Sequence, residues 1–275
     1  MNEIINYFST IPSTHRSLIL IGGITLFWLI ENTFPLFQMQ YRKWHHAGIN
    51  IFFTITTIIV NFILAFILIK TAAWTTDNNF GILQWLPELP IWLYTLIGLL
   101  LLDLIGAYLA HFVQHKIKFL WRFHLIHHTD TWIDTTTANR HHPGESVIRF
   151  LFTTLGVLIV GSPMWMVFLY QSLSVIGSQF NHANISLPAK LDVWLSYFIV
   201  SPNMHKVHHH YMLPYTDSNY GNIFSVWDRL FGTFTTLPKD ELIYGVDTHM
   251  KPEENNKLQN LLQIPFQKSG SKKNS

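Results

Sequence analysis

The sequence carries 16 histidines and no cysteine, and most of the histidines fall in short clusters. Residues 111–115 read His-Phe-Val-Gln-His, a spacing that puts both imidazoles on one face of a helix. Residues 124–128 and 205–209 both follow the pattern His-x-x-His-His. Because roughly 0.05 copies of that pattern would arise by chance at this composition, its presence twice predicts a site with a chemical role.

Imidazoles clustered with this spacing are typical of metal sites. Imidazole suits iron, zinc, copper and nickel, whereas the lack of cysteine excludes disulfides, thiolate zinc sites and cysteine-held iron–sulfur clusters. One ion takes about four to six ligands, so nine imidazoles indicate two ions. The nine are His111, His115, His124, His127, His128, His182, His205, His208 and His209. The alternative is a protonatable patch at a membrane surface, which is disfavoured because clustered imidazolium charges repel one another.

The other histidines are interpreted differently. We expect five of them to be ordinary surface or interfacial groups: His15, His45, His46, His210 and His249. His141 and His142 lie in the segment Asn-Arg-His-His-Pro-Gly-Glu, where a metal ligand, a neighbour of a ligand and a loop residue are all open.

Long apolar segments surround these clusters. The chain is 49% hydrophobic and 12% charged, and a membrane-spanning helix needs about 20 apolar residues. Residues 18–37, 49–69 and 91–110 meet that need. Residues 147–180 are too long for one span and contain Gly-Ser-Pro at 161–163, which predicts two short helices in a hairpin rather than one kinked helix. The predicted fold is an all-α membrane protein with three long transmembrane helices plus a helical hairpin, under a histidine-rich helical cap.

Basic residues in the connecting segments predict the orientation. Lys and Arg follow the first and third spans, whereas the segment after the second span carries Asp77 and Glu88. We therefore expect the histidine clusters on the cytoplasmic side. Residues 1–250 are predicted to form a single integral-membrane domain, and residues 251–275 a polar, flexible tail. The net charge of +2 gives no indication of nucleic-acid binding.

A series of motifs in order resembles the fatty acid hydroxylase and sterol desaturase superfamily, and within it the alkylglycerol monooxygenase-like and bacterial sterol desaturase-like branch. The resemblance covers residues 103–235. After the first histidine cluster come residues 120–128 (LWRFHLIHH), 137–143 (TANRHHP), 181–185 (NHANI), 201–209 (SPNMHKVHH), 217–222 (DSNYGN) and 227–233 (WDRLFGT). One departure is Phe112, where the family often has arginine.

The resemblance implies a cytosolic dimetal centre of two iron ions that uses O2 to hydroxylate, desaturate or cleave an ether in a lipid. A sterol, a fatty acyl chain and an ether lipid are all possible substrates. It implies electrons from a separate donor protein or a reduced pterin. It also implies that the nine clustered histidines are ligands and adds His142 to them.

The sequence also suggests structural or supporting roles for two aspartates and four tryptophans. Asp228 is interpreted either as an acceptor for a ligand imidazole or as a helix cap or ion-pair partner, and Asp103 as a packing or positioning group within a span. The tryptophans Trp121, Trp132, Trp165 and Trp194 are expected to be interfacial anchors.

Two other functions remain open at this point. A membrane metal transporter or metal-binding protein would use the same histidines, although transporters place ligands near the bilayer midplane. An inactive scaffold is the other alternative. Sequence does not choose the substrate, the reaction among the three, the electron donor, the oligomeric state or which histidines bind which ion.

Overall fold

The protein is described by a computed structural model over residues 1–267, and this part is built from helices. In chain order they are α1 (Asn2–Ser9), α2 (Ser13–Thr33), α3 (Lys43–Asp77), α4 (Ile82–Trp85), α5 (Ile91–Asp103), α6 (Ala110–Lys116), α7 (Lys118–His128), α8 (Pro143–Val160), α9 (Met164–His182), α10 (Ala189–Leu195), α11 (Pro202–His208), α12 (Val226–Leu230), α13 (Pro252–Asn255) and α14 (Leu258–Gln263). A π-helical segment, Leu104–Leu109, joins α5 to α6. Short 3₁₀ turns occur at Thr135–Asn139, Tyr215–Asp217, Lys239–Glu241 and Ile264–Phe266.

Four helical segments are long and apolar enough to cross a membrane. They are Ser13–Thr33, Lys43–Trp85, Ile91–Lys116 and Pro143–Val160. Their outer faces suit lipid, since Phe62 on α3 is 82% exposed and Ile63 and Phe66 are exposed beside it. This agrees with the predicted all-α membrane fold. The count of three spans plus a hairpin stays a prediction.

Helix α3 is longer than a bilayer requires. Its 35 residues extend about 52 Å at 1.5 Å each, against a hydrocarbon core of about 30 Å. The surplus lies at its N-terminal end, where His46, Asn50 and Phe53 are buried against the histidine-bearing part. Helix α3 therefore ties the membrane bundle to the cap.

The predicted break at residues 161–163 is present and separates α8 from α9. Gly161 ends α8 with φ of 70°, a left-handed conformation that glycine adopts without a steric penalty. Pro163 then precedes α9. The two helices pack on α5 through a buried core that includes Leu102, Val157 and Met166. This arrangement brings the C-terminal end of α6, the start of α8 and the end of α9 to one end of the bundle.

The segment after Lys251 differs from the flexible tail expected there. Helices α13 and α14 form, and Leu261 and Ile264 are buried with Ile49 and Ile126. Apolar side chains in this stretch pack against α3 and α7, which explains its order. The last part of the expected tail, residues 268–275, lies outside the described residues.

Candidate metal centre

Nine histidines converge at the cap end of the bundle and form two adjacent groups. Within each group, one ring nitrogen from every histidine lies within 4.8 Å of the others. The five-histidine group consists of His111, His115, His124, His128 and His208. The four-histidine group consists of His127, His182, His205 and His209. The structure thus brings together nine of the ten residues singled out from the sequence.

The His-x-x-His-His pattern divides between the groups in a reciprocal way. On α7, the residues four apart, His124 and His128, enter the five-histidine group and His127 enters the other. Around α11, the residues four apart, His205 and His209, enter the four-histidine group. Each pattern therefore contributes to both groups, because offsets of three and four lie on neighbouring strips of one helix. The rings of His128 and His209 are 4.8 Å apart across the boundary.

Distances between the nitrogens fit ligands around ions better than hydrogen bonds. The Nε2 atom of His182 lies 3.1 Å from that of His127, 3.1 Å from that of His205 and 3.3 Å from that of His209. A single Nε2 position cannot form hydrogen bonds with three such atoms at once, because it carries one proton or one lone pair. Two nitrogens each about 2.1 Å from one ion would be about 3.0–3.4 Å apart for angles between octahedral and tetrahedral values.

The five-histidine group shows the same spacing. His124 Nε2 lies 3.0 Å from His111 Nε2 and 3.2 Å from His128 Nε2. His115 Nε2 and His208 Nε2 are buried without a hydrogen-bond partner among the described residues. Buried polar atoms are rarely left unpaired, so these inward nitrogens are available to an ion. The donor set fits two first-row transition-metal ions.

Outward nitrogens of several histidines are held by acceptors. The Nδ1–H of His111 donates to the Tyr220 carbonyl at 2.9 Å, that of His182 to the Ser178 carbonyl at 2.7 Å, and that of His208 to the Ser218 carbonyl at 2.7 Å. Each bond places the proton on Nδ1 and leaves the Nε2 lone pair directed into the site.

Glu145 plays the same part for His124 and was not assigned a role from the sequence. His124 Nδ1 donates to Glu145 Oε1 at 2.7 Å, and both side chains are buried. A carboxylate acceptor raises the basicity of the imidazole beyond what a carbonyl provides. The signal available in the sequence was an acidic residue two positions after the TANRHHP motif.

The two aspartates considered earlier hold the surrounding loops. Asp228 accepts hydrogen bonds from the backbone N–H groups of Tyr220 and Gly221 and does not reach a histidine ring. Asp103 accepts from the backbone N–H groups of Ile223 and Phe224, which agrees with a packing role. Both therefore fix the chain around Tyr220, whose carbonyl orients His111.

Two neighbours of His115 were not expected. Asp217 Oδ1 lies 3.5 Å from His115 Nδ1 and also accepts a hydrogen bond from the Tyr220 hydroxyl. Trp121 packs its ring 4.7 Å from that of His115 and 5.2 Å from that of His128. Trp121 thus forms part of the wall of the five-histidine group, a contact that the sequence did not predict, and its role as an interfacial anchor stays a prediction.

Burial keeps the clustered histidines neutral. For His127, His128 and His209, removal from water and repulsion between neighbouring imidazoles hold the pKa well below 6.5. Burial lowers the pKa of His208 to about 4 and that of the nearby Lys206 to about 7. Neutral imidazoles carry the free lone pairs that a metal ion needs.

The adjacent pair His141 and His142 takes two different positions. His142 lies outside both groups, accepts a hydrogen bond from the Gly144 N–H as the N-cap of α8, and packs against Phe123. His141 is the one near the site, with its ring 5.1 Å from that of His127.

A cavity of about 20 Å³, room for a water-sized molecule, lies between the histidine groups and the helix bundle. His111, His124, His127, His182 and His205 line it from the metal-binding side, and His141 adds to them. The opposite wall is formed by residues of the bundle helices, each about one helical turn away from a histidine or Glu145 in the sequence: Ala107, Arg149 and Ser178. A small molecule in this space would touch both groups.

A second buried polar cluster supports the loop between α7 and α8. His46 Nε2 lies 2.8 Å from Asp130 Oδ2, and its Nδ1 lies 3.2 Å from Asp134 Oδ2. Burial raises the pKa of Asp130, but the charges of His46 and Arg140 outweigh it and hold that pKa below its usual range. The expectation that His46 is a surface group is wrong, because these two aspartates bury it as an ion-pair partner.

Comparison with known proteins places these motifs in a family. The model of the fatty acid hydroxylase family matches residues 95–233, about half of the chain. The chain is 26% identical over 156 residues to the ornithine lipid hydroxylase OlsE of Rhizobium tropici, covering 56% of this chain and 46% of that protein. It is 30% identical over 172 residues to the alkylglycerol monooxygenase of Danio rerio, covering 62% and 36%.

A cholesterol 25-hydroxylase-like protein of Danio rerio is 27% identical over 162 residues, covering 54% of this chain and 57% of that protein. The chain thus matches about a third to somewhat over half of the length of these relatives. No solved structure matches it. The match to the family model includes all nine converging histidines, which lie on or next to α6, α7, α9 and α11. The chain therefore belongs to the fatty acid hydroxylase family.

Proposed function

We propose that the protein is a membrane-bound monooxygenase that uses two iron ions and O2 to oxidise a C–H bond of a lipid. The observation that carries the proposal is the convergence of nine imidazoles into two adjacent groups beside a shared cavity. The relatives that carry hydroxylase and monooxygenase names support the reaction class. Hydroxylation, desaturation and ether cleavage share this metal chemistry, and hydroxylation is the reaction we favour.

The nine histidines are proposed as the ligands, with five around one ion and four around the other. His142 is better assigned to capping α8, since it lies outside both groups. His141 lies where it could complete the four-histidine group to five. When bound, the two iron ions would supply the electron transfer that reduces O2 with two electrons and two protons, yielding one hydroxyl group and one water.

The protein's own side chains prepare that chemistry. Carbonyl groups and Glu145 fix the tautomers of four of the proposed ligand imidazoles, so that their Nε2 lone pairs point inward before an ion arrives. The buried Tyr220 and the half-buried Trp121 pack against His115 and help to keep bulk water from the five-histidine group. The exposed apolar faces of the bundle allow a lipid chain to approach from within the bilayer.

Location and partners follow from the same arrangement. We propose that the histidine groups face the cytoplasm, in keeping with the basic residues of the segment that carries them. The electrons would come from a separate donor protein or a reduced pterin. The groups lie at the ends of the candidate spans, which does not suit a transporter with ligands near the bilayer midplane.

The test uses labelled oxygen. Cells that express the protein are grown with ¹⁸O2 and adequate iron, and their lipids are compared by mass spectrometry with those of cells that express His124→Ala/His208→Ala. We expect lipids heavier by one ¹⁸O atom only with the unmodified protein. Equal lipid profiles in the two strains, with iron bound to the unmodified protein, would contradict the proposal.

A further inference from the structure

Arg149 is a charged side chain that lines the cavity beside the two histidine groups. The proposed reaction has not yet given this side chain a role. It lies in the second turn of α8, within a candidate membrane span, and lines the cavity together with His124, His141 and Ser178. Its side chain is 27% exposed. It therefore reaches from the cavity to the surface of the helix bundle.

The guanidinium of Arg149 has unused hydrogen-bonding capacity. Within residues 1–267 it donates no hydrogen bond, and its one acidic neighbour is Glu145, with Oε1 4.0 Å from Nη1. That distance exceeds a hydrogen bond, and the same Oε1 already accepts from His124 at 2.7 Å. A guanidinium carries five N–H donors, so most of them are free to face the cavity.

The position of this charge also indicates a role. Residues 146–181 contain no Asp, Glu, Lys or Arg other than Arg149. Ionisable residues within membrane helices are costly and usually mark a binding site or a pathway. The planar fork of a guanidinium matches the two oxygens of a carboxylate or phosphate, and it also binds a carbonyl oxygen.

We propose that Arg149 binds an oxygen of the lipid substrate, in a carboxylate or an acyl carbonyl, and so selects lipids whose reacting carbon lies close to that oxygen. This inference rests on the proposed function. Arg149 and the histidines line the same small cavity. If the guanidinium binds an oxygen of the lipid, the carbon that lies beside the metal centre can therefore be only a few covalent bonds away from that oxygen. Oxidation far down a hydrocarbon chain is then not expected.

Binding of simple probes tests the proposal without relying on turnover. Metal-loaded, full-length protein in detergent is titrated under nitrogen with tritiated hexadecanoate, its methyl ester and hexadecane. We expect the unmodified protein to bind hexadecanoate at least about tenfold more tightly than hexadecane, as a hydrogen bond to a charged group implies. Arg149→Gln should bring the two within about twofold, with metal content unchanged.

Matched variants separate the local contact from a general charge effect. Lys70→Gln also removes one positive charge from a candidate span, but Lys70 is exposed and does not line the cavity, so this variant should bind all probes normally. Arg149→Lys should bind hexadecanoate less tightly than the unmodified protein, because it lacks the fork. If Arg149→Gln weakens the binding of hexadecanoate but not of its methyl ester, the group that Arg149 binds is a carboxylate. If it weakens the binding of both, the group is an acyl carbonyl.

The outcomes distinguish this proposal from the proposed function. Normal hexadecanoate and ester binding by metal-loaded Arg149→Gln would overturn the role of Arg149, even if labelled oxygen enters lipids. Binding that depends on Arg149, without any oxygen incorporation by the unmodified protein, would support the site and overturn the oxygenase function. Where oxygen is incorporated, fragmentation spectra should place it within a few carbons of the oxygen-bearing group.

Discussion

Replacement of Glu145 tests how the protein tunes its five-histidine group. Glu145→Gln keeps an acceptor for His124 Nδ1–H but removes the negative charge that a bound metal ion would favour on the carboxylate. A hydrogen bond to a charged group contributes about 1.5–3 kcal/mol and a neutral one about 0.5–1.5 kcal/mol. The difference of about 1–1.5 kcal/mol predicts roughly fivefold to tenfold weaker metal binding at this group. Glu145→Ala leaves the buried N–H without a partner and should weaken binding by about tenfold to a hundredfold.

A chelator competition experiment on the purified protein measures this effect. Two release steps are expected, and only the step of the five-histidine group should shift, because Glu145 contacts no ligand of the four-histidine group by hydrogen bond. Ser146→Ala serves as the control, since Ser146 is buried in the same turn and bonds to Thr57 instead of a histidine ring. Identical release curves for Glu145→Ala and the unmodified protein would show that Glu145 does not support metal binding through His124.

Three further predictions follow from the geometry. His182→Ala removes the nitrogen closest to three others, so the metal content should fall from two ions per chain to one. His142→Ala should keep both ions and lower the free energy of unfolding by about 0.5–2 kcal/mol through loss of a cap, measured as a shift of the melting temperature. The pKa of His208 is lowered to about 4 in the folded chain. The unfolded chain therefore binds more protons between pH 6.5 and 4, so stability and metal retention should fall as the pH drops through that window and stay level above it.

Sequence reasoning was most successful where chemistry depends on local spacing. The three histidine clusters and the break at residues 161–163 are properties of short segments, and helix periodicity or a Gly-Ser-Pro interruption is sufficient to find them. His182 was counted with the clusters although it has no spaced partner of its own, the family resemblance implied that it is a ligand, and the structure brings it into the four-histidine group. The orientation and the extent of one domain stay predictions.

Features that depend on distant contacts were missed. His46 meets Asp130 across 84 residues of sequence, and His124 meets Glu145 across 21. How α7 and α11 pack together decides which histidine joins which group, and no local pattern contains that information. The packing of α14 was missed for the same reason. Its apolar stretch is short and gives a weak signal in the sequence, but it packs against apolar side chains of α3 and α7.

If the proposed function is right, the two histidine groups each hold one metal ion. Anomalous X-ray diffraction at the iron edge, from crystals of the protein purified with its native metal, locates the ions directly. We predict two peaks per chain, one about 2.1 Å from Nε2 of His124 and His208, and the other about 2.1 Å from Nε2 of His182 and His205. A single peak, or peaks beyond bonding distance of either group, would rule out a two-ion centre held by these histidines.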